Sequence, residues 1–146
     1  MNLVKVLPPA PGGDGPHLAV LTEQLLQRVR RALLEHDWEG LRVVHFRVLG
    51  VVPAEGTTIS ALAEPLRMTK QAAGQFVAQL EQSGHLELRV DERDRRRRVV
   101  VRTGRGDQLV AQVDAAVAEL EREWAEQVGE QRYAVFRDVL VELVRS

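Results

Sequence analysis

The 146-residue sequence has no cysteine, which excludes disulfides, thiolate metal sites and cysteine-based redox sensing. No apolar run approaches the roughly 20 residues that span a bilayer. Met1–Ala10 lacks the charged start, apolar stretch and small-residue cleavage site of a signal peptide. A cytoplasmic protein without membrane contact is therefore expected. Catalytic signatures are missing as well: there is no nucleophile elbow, no paired-carboxylate spacing and no glycine-rich phosphate loop, so no enzyme is expected. Internal repeats are absent, and the length suits a single functional unit.

Arginine is plentiful, and its distribution is uneven. The chain has a net charge of −1, yet between Arg89 and Arg105 eight arginines face only Asp91, Glu92 and Asp94, a local balance of +5 that leaves −6 for the remainder. A nucleic-acid binder needs a local basic patch, not a basic total. Lysine occurs only at Lys5 and Lys70, and only Lys70 lies where it could take part.

Leu7–Pro16 reads LPPAPGGDGP, a composition that holds neither helix nor paired strand, so residues 1–15 are expected to form a flexible arm. From His17 to His36, Leu18, Leu21, Leu25, Val29, Ala32 and Leu33 recur at helical spacing. Leu41, Val44, Val48 and Val52 mark a second helix over Leu41–Val52, ended by the loop at Pro53–Gly56. Two short helices follow. Thr57 or Thr58 can cap the first, whose Ile59, Leu62, Ala63 and Leu66 face inward, and Thr69 can cap the second, Thr69–Ser83. The second keeps Ala73, Phe76, Val77 and Leu80 on one face, presents Lys70, Gln71, Gly74, Gln75 and Ala78 elsewhere, and stops at Gly84.

After Gly84 the period changes from helical to alternating. Leu86, Leu88 and Val90 share one side of a strand, with His85, Glu87 and Arg89 on the other. A charged tip, DERDRRRR, leads to the β-branched run Val99–Val101, which can pair back as a hairpin. Two further helices begin at Thr103–Gly106 and Gln131; the first carries Leu109, Val113, Ala116, Leu120 and Trp124 in register, the second Phe136, Leu140 and Leu143.

Two segments carry a family resemblance: DERDRRRRVVVRTGRG at Asp91–Gly106 and ISALAEPLRMTKQAAGQFVAQLEQSGHLE at Ile59–Glu87. In this order and spacing they resemble the wing and the helix-turn-helix of the MarR family of bacterial transcription regulators. The resemblance implies a mainly α fold with a small β-hairpin wing, in which a winged helix-turn-helix region at 41–103 is joined to dimerisation helices at 17–36 and 104–146 within one unit, 16–146. It also implies a sequence-specific regulator, a repressor acting as a homodimer on a pseudo-palindromic operator in double-stranded DNA. A small-molecule effector bound between the dimer helices and the winged domains would modulate its grip.

Each segment has a physical task. The first turns of a recognition helix enter the major groove, which places Lys70, Gln71, Ala72 and Gln75 at the bases and Thr69 with the helix N-terminus at a phosphate. Arginines at a hairpin tip suit the narrow, negative minor groove; Arg95 is the candidate for insertion, with Arg93, Arg97 and Arg98 on phosphates. By resemblance, Asp94 and Arg96 would brace the tip as an acid–base pair. The exposed apolar residues of the outer helices favour packing against a second copy.

Two positions depart from the family pattern. Pro65 removes a donor inside the first helix of the pair and should end or kink it, and Arg67 occupies a turn position where relatives often have glycine. His36, Asp37 and His45 are close in sequence but too few to define a metal site, and no metal or other cofactor is expected. Trp38, Trp124 and Tyr133 are candidates to line an effector pocket, although aromatic residues at helical spacing are commonly core. The alternative function is a winged-helix protein-interaction module without DNA contact, which the acidic remainder of the chain favours and the arginine-rich tip opposes.

Overall fold

A computed structural model of the chain describes residues 15–145, so the expected N-terminal arm lies almost wholly outside the described residues. The elements are α1 (Leu18–Leu34), α2 (Val43–Val51), α3 (Ile59–Leu66), α4 (Lys70–Gln82), β1 (Leu86–Val90), β2 (Arg98–Arg102), α5 (Gly104–Val128) and α6 (Glu130–Arg145). They fall into two compact units, one of residues 37–116 and one of residues 15–36 with 117–145. None of the described helices is long and apolar enough to cross a membrane.

The unit of residues 37–116 has a core drawn from every element in it. Val48, Leu49 and Val52 from the α2 segment meet Leu62 and Leu66 of α3, Ala73, Val77 and Leu80 of α4, and Leu86 and Val100 of the hairpin, all of them buried. Burial of each such aliphatic side chain contributes about 1.5–3 kcal/mol. The second helix starts two residues later than the sequence pattern suggests, because Glu39 and Gly40 both take positive φ values (56° and 77°) and Arg42 is still extended. Its last turn is tied down by Arg102, whose Nη1 donates to the Leu49 carbonyl at 3.1 Å.

Helix α3 is capped by Thr58, whose Oγ1 accepts from the Ala61 amide at 3.2 Å. Pro65 lies within it, but only Leu66 follows before the helix ends. The stop is made by Arg67, which adopts the left-handed conformation (φ 52°, ψ 46°), while the Met68 amide reaches back to the Ala63 carbonyl at 3.0 Å. A side chain here costs about 1–2 kcal/mol relative to an unstrained conformation, and the bonded turn holds it in place. Helix α4 follows, with Thr69 Oγ1 accepting from the Ala72 amide at 3.1 Å.

Strands β1 and β2 pair antiparallel in the register Leu86↔Arg102, Leu88↔Val100 and Val90↔Arg98. Thr57 adds a bridge to Val100, exchanging both main-chain hydrogen bonds at 3.0 and 2.7 Å. Gly56 precedes it at φ +84°, where a Cβ would sit 2.6 Å from Val101 Cγ1.

Where β2 gives way to α5, Thr103 Oγ1 donates to the Gly84 carbonyl at 2.6 Å and accepts from the Gly106 amide at 3.2 Å. Gly106 presses so closely on the His85 carbonyl that a Cβ would fall far inside van der Waals contact with that oxygen.

In the unit of residues 15–36 and 117–145, Arg28 lies over the Trp124 ring at 5.1 Å from its centroid. Helix α6 begins after Gly129 (φ 94°) and buries no residue, leaving Val135, Phe136, Val139 and Leu143 exposed; on α1, Leu18, Leu21, Leu26 and Leu34 are exposed too.

Two glycine substitutions should have opposite effects on unfolding. Gly106→Ala must displace a backbone carbonyl and is expected to destabilise by on the order of 3 kcal/mol. Gly74→Ala meets only Ile59 Cγ2 at 3.8 Å and is expected to stabilise by about 0.5–1 kcal/mol, as alanine does in a helix interior. Urea denaturation of the two variants beside the parent checks both.

Candidate nucleic-acid interface

On α4, Ala73, Val77 and Leu80 are buried, which leaves Lys70, Gln71 and Gln75 exposed along its N-terminal half. Ala72 and Gly74 are half-buried, so the long polar side chains of this face are few. Thr69 stands at the N-cap with its hydroxyl already accepting a helix amide, and the free amides of the first turn add partial positive charge there.

The wing tip spans residues 91–97. Its shape is set by two aspartates acting on the main chain: Asp91 Oδ1 accepts from the Arg93 amide at 2.9 Å, and Asp94 Oδ1 from the Arg96 amide at 3.0 Å. The Arg97 amide donates to the Asp94 carbonyl and the Asp91 amide to the Arg97 carbonyl, both at 2.9 Å, closing the loop. Asp94 and Arg96 are thus joined through the Arg96 backbone. Among the described residues no ion pair involves Arg93, Arg95, Arg96, Arg97 or Arg98, and all five side chains are exposed. A turn held by carboxylate-to-amide bonds leaves the guanidinium groups unneutralised by the loop itself.

The residues that position this surface include some that sequence periodicity does not reveal. His85 was expected on the outer face of the first wing strand; it instead precedes β1 and is buried at 2% exposure. Its amide donates to the Leu80 carbonyl at the end of α4, and its Nδ1 lies 2.8 Å from Ser83 Oγ. Strand alternation does not apply to a residue still bonded into a helix stop. Nearby, Arg105 of α5 pairs with Glu39, whose carboxylate is 4.0 Å from His85 Nε2. On α2, the buried His45 accepts from the Arg42 amide at Nδ1 and meets Gln79 of α4 at Nε2, each at 2.9 Å. No group of three or more metal-ligating side chains occurs among the described residues, and His36, Asp37 and His45 form no such cluster.

The MarR family model matches residues 39–97, the segment that runs from the Glu39 turn through the wing tip. Solved structures match over most of the chain. A mutant of S. aureus MepR bound to an oligodeoxyribonucleotide is 20% identical with a TM-score of 0.63, covering 87% of this chain and 92% of its own. PcaV of Streptomyces coelicolor, in complex with its natural ligand, is 20% identical at 0.69, covering 94% and 98%. CouR of Rhodococcus jostii, bound to p-coumaroyl-CoA, is 25% identical at 0.65, covering 86% and 87%. The chain has the MarR-family winged-helix fold. No curated protein matches it by sequence.

The aromatic candidates separate by unit. Trp38 is buried and packs edge-on against Phe46, ring centroids 5.3 Å apart, as a core residue of the 37–116 unit. Trp124 and Tyr133 line one cavity of about 320 Å³ in the other unit, together with Arg28, Arg132 and Phe136. Burial raises the pKa of the Tyr133 hydroxyl, and Glu121 adds to the effect.

Burial holds the His85 pKa below its ordinary 6.5; Arg105 and His45 reinforce this and Glu39 opposes it. The folded state therefore prefers the neutral ring. The corresponding stability is fully present above about pH 6.5 and is lost as the pH falls from there toward the lowered value, where the unfolded chain binds the proton more readily. Denaturation midpoints should be lower at about pH 5 than at about pH 7.5, with a smaller gap in His85→Asn. An unchanged gap in that variant would assign the pH dependence to other groups.

Proposed function

We propose that this protein is a cytoplasmic, non-enzymatic transcription regulator that binds double-stranded DNA as a homodimer. The observation that carries the reading is the pairing, in one compact unit, of a Thr69-capped helix with exposed Lys70, Gln71 and Gln75 and a hairpin whose four tip arginines, with Arg98 at the start of β2, are exposed and unpaired among the described residues. Helix α4 would enter the major groove, with Thr69 and the first-turn amides on a phosphate and Lys70, Gln71, Ala72 and Gln75 at base edges. Arg95 would enter the minor groove, while Arg93, Arg96, Arg97 and Arg98 neutralise phosphates; Asp94 holds the Arg96 backbone in the turn at the tip.

The exposed apolar residues of α1 and α6 support a two-fold dimer, which would set two recognition helices about 34–36 Å apart and match a pseudo-palindromic site. Repression and a small-molecule effector are drawn from likeness: MepR was solved with DNA, PcaV and CouR with ligands. An effector would act by shifting the population of dimers whose helices fit the operator spacing.

Fluorescence anisotropy with a parent-selected duplex and with a random-sequence pool, at several salt concentrations, tests the reading. Binding is expected to weaken steeply with salt. Arg95→Ala should weaken binding to all sequences and reduce the salt slope by about 1, whereas Gln75→Ala should change preference among sequences by about 1–3 kcal/mol. Absent or salt-insensitive binding would overturn it in favour of a protein-interaction module, and a monomer in light scattering would remove the dimer.

A further inference from the structure

The buried His45 sits at the start of α2, yet its ring is attached to α4. Nδ1 accepts the Arg42 amide proton at 2.9 Å, so the ring's own proton must lie on Nε2, where it is donated to Gln79 Oε1 at 2.9 Å. The same ring meets Phe76 edge-on, with centroids 5.6 Å apart and planes at 82°. Phe76 and Gln79 are one turn apart on α4, so His45 holds that helix at two successive points. Among the described residues this is the one side-chain hydrogen bond that joins α2 to α4.

We propose that His45 and Gln79 form a rotational latch, making His45 a positioning residue that sets the roll of α4 about its axis and thereby the sequence selectivity of the chain. The proposal rests on the reading of α4 as the recognition helix. The rest of its inward face is Ala73, Val77 and Leu80, whose aliphatic contacts are non-directional and tolerate small rotations. The hydrogen bond from the buried His45 ring to Gln79 is directional and weakens as its geometry is lost. A roll of about 20° moves a side-chain tip some 5–6 Å from the helix axis by about 2 Å, enough to break a hydrogen bond to a base edge. Phosphate contacts through long, exposed arginines absorb such a shift and carry no sequence information. Gln79 lies one turn beyond Gln75, so the latch fixes the flank of the face that Gln71 and Gln75 share.

The test compares affinity for a duplex selected from a random pool by the parent protein with affinity for the bulk pool. Gln79→Leu removes the acceptor at an exposed position, and His45→Phe keeps a ring against Phe76 but removes both nitrogens. Each is expected to lower the selected-to-bulk ratio about tenfold, the value of one net hydrogen bond, with bulk affinity changing less than about twofold. The double variant should lose no more than either single one, because both break the same link. Gln79→Glu keeps an acceptor and should retain the ratio while its added charge weakens all binding evenly. Nitrogen-15 spectra should show the Nε2–H tautomer of His45 in the parent and in both Gln79 variants, because the Arg42 amide keeps Nδ1 an acceptor, with the Nε2 signal shifted in Gln79→Leu alone, where its proton loses its acceptor.

A folded His45→Phe with the parent's ratio, additive losses in the double variant, or a tautomer mixture in the parent would each overturn the latch. If His45→Phe does not fold, the two Gln79 variants and the spectra decide it. A parent that binds no duplex overturns the DNA-binding reading and this one with it, whereas binding with an unaffected ratio overturns the latch alone.

Discussion

The close approach of Gly106 to the His85 carbonyl is the constraint on which the arrangement of the 37–116 unit depends. At this point α4 has just stopped, β1 is about to start and α5 is beginning its first turn. The Thr103 hydroxyl closes the junction by donating to the Gly84 carbonyl while accepting the Gly106 amide. The Thr103 amide donates to the same His85 carbonyl at 3.2 Å. A larger residue at 106 would have to displace the His85 carbonyl, and one without a hydroxyl at 103 would lose both of these side-chain bonds. The Thr-x-x-Gly pattern that resembles the family signature thus has a steric and hydrogen-bonding cause in this chain.

Local features of the fold were legible because their causes are local. Helical spacing identified α1, α3, α4 and α5, threonine before an apolar run identified the cap at Thr69 and narrowed the other to Thr57 or Thr58, and the change of period after Gly84 identified the hairpin. What was not legible depends on residues far apart in the chain. His45 and Gln79 are 34 positions apart, and neither stands out from its neighbours in sequence. The burial of His85 runs against simple alternation because its amide belongs to the α4 stop. Arg67 reads as an obstacle to a tight turn; it takes the left-handed conformation nonetheless, since the Ala63 and Glu64 carbonyls both accept from its amide.

The candidate interface was legible by composition and less so by mechanism. Counting charge located the arginine tip without showing how a loop so rich in like charges keeps its shape. The answer lies in Asp91 and Asp94, which accept main-chain protons and leave the neighbouring guanidinium groups outward.

That division of labour separates shape from charge in the wing. The turn is drawn by two aspartates and the chain's own amides, and it asks nothing of the side chains at 93, 95, 96 and 97. Arginines can therefore be gained or lost there over generations without reshaping the hairpin. The positive charge of the tip becomes a trait that drifts or adapts in single steps, free of the requirement to refold.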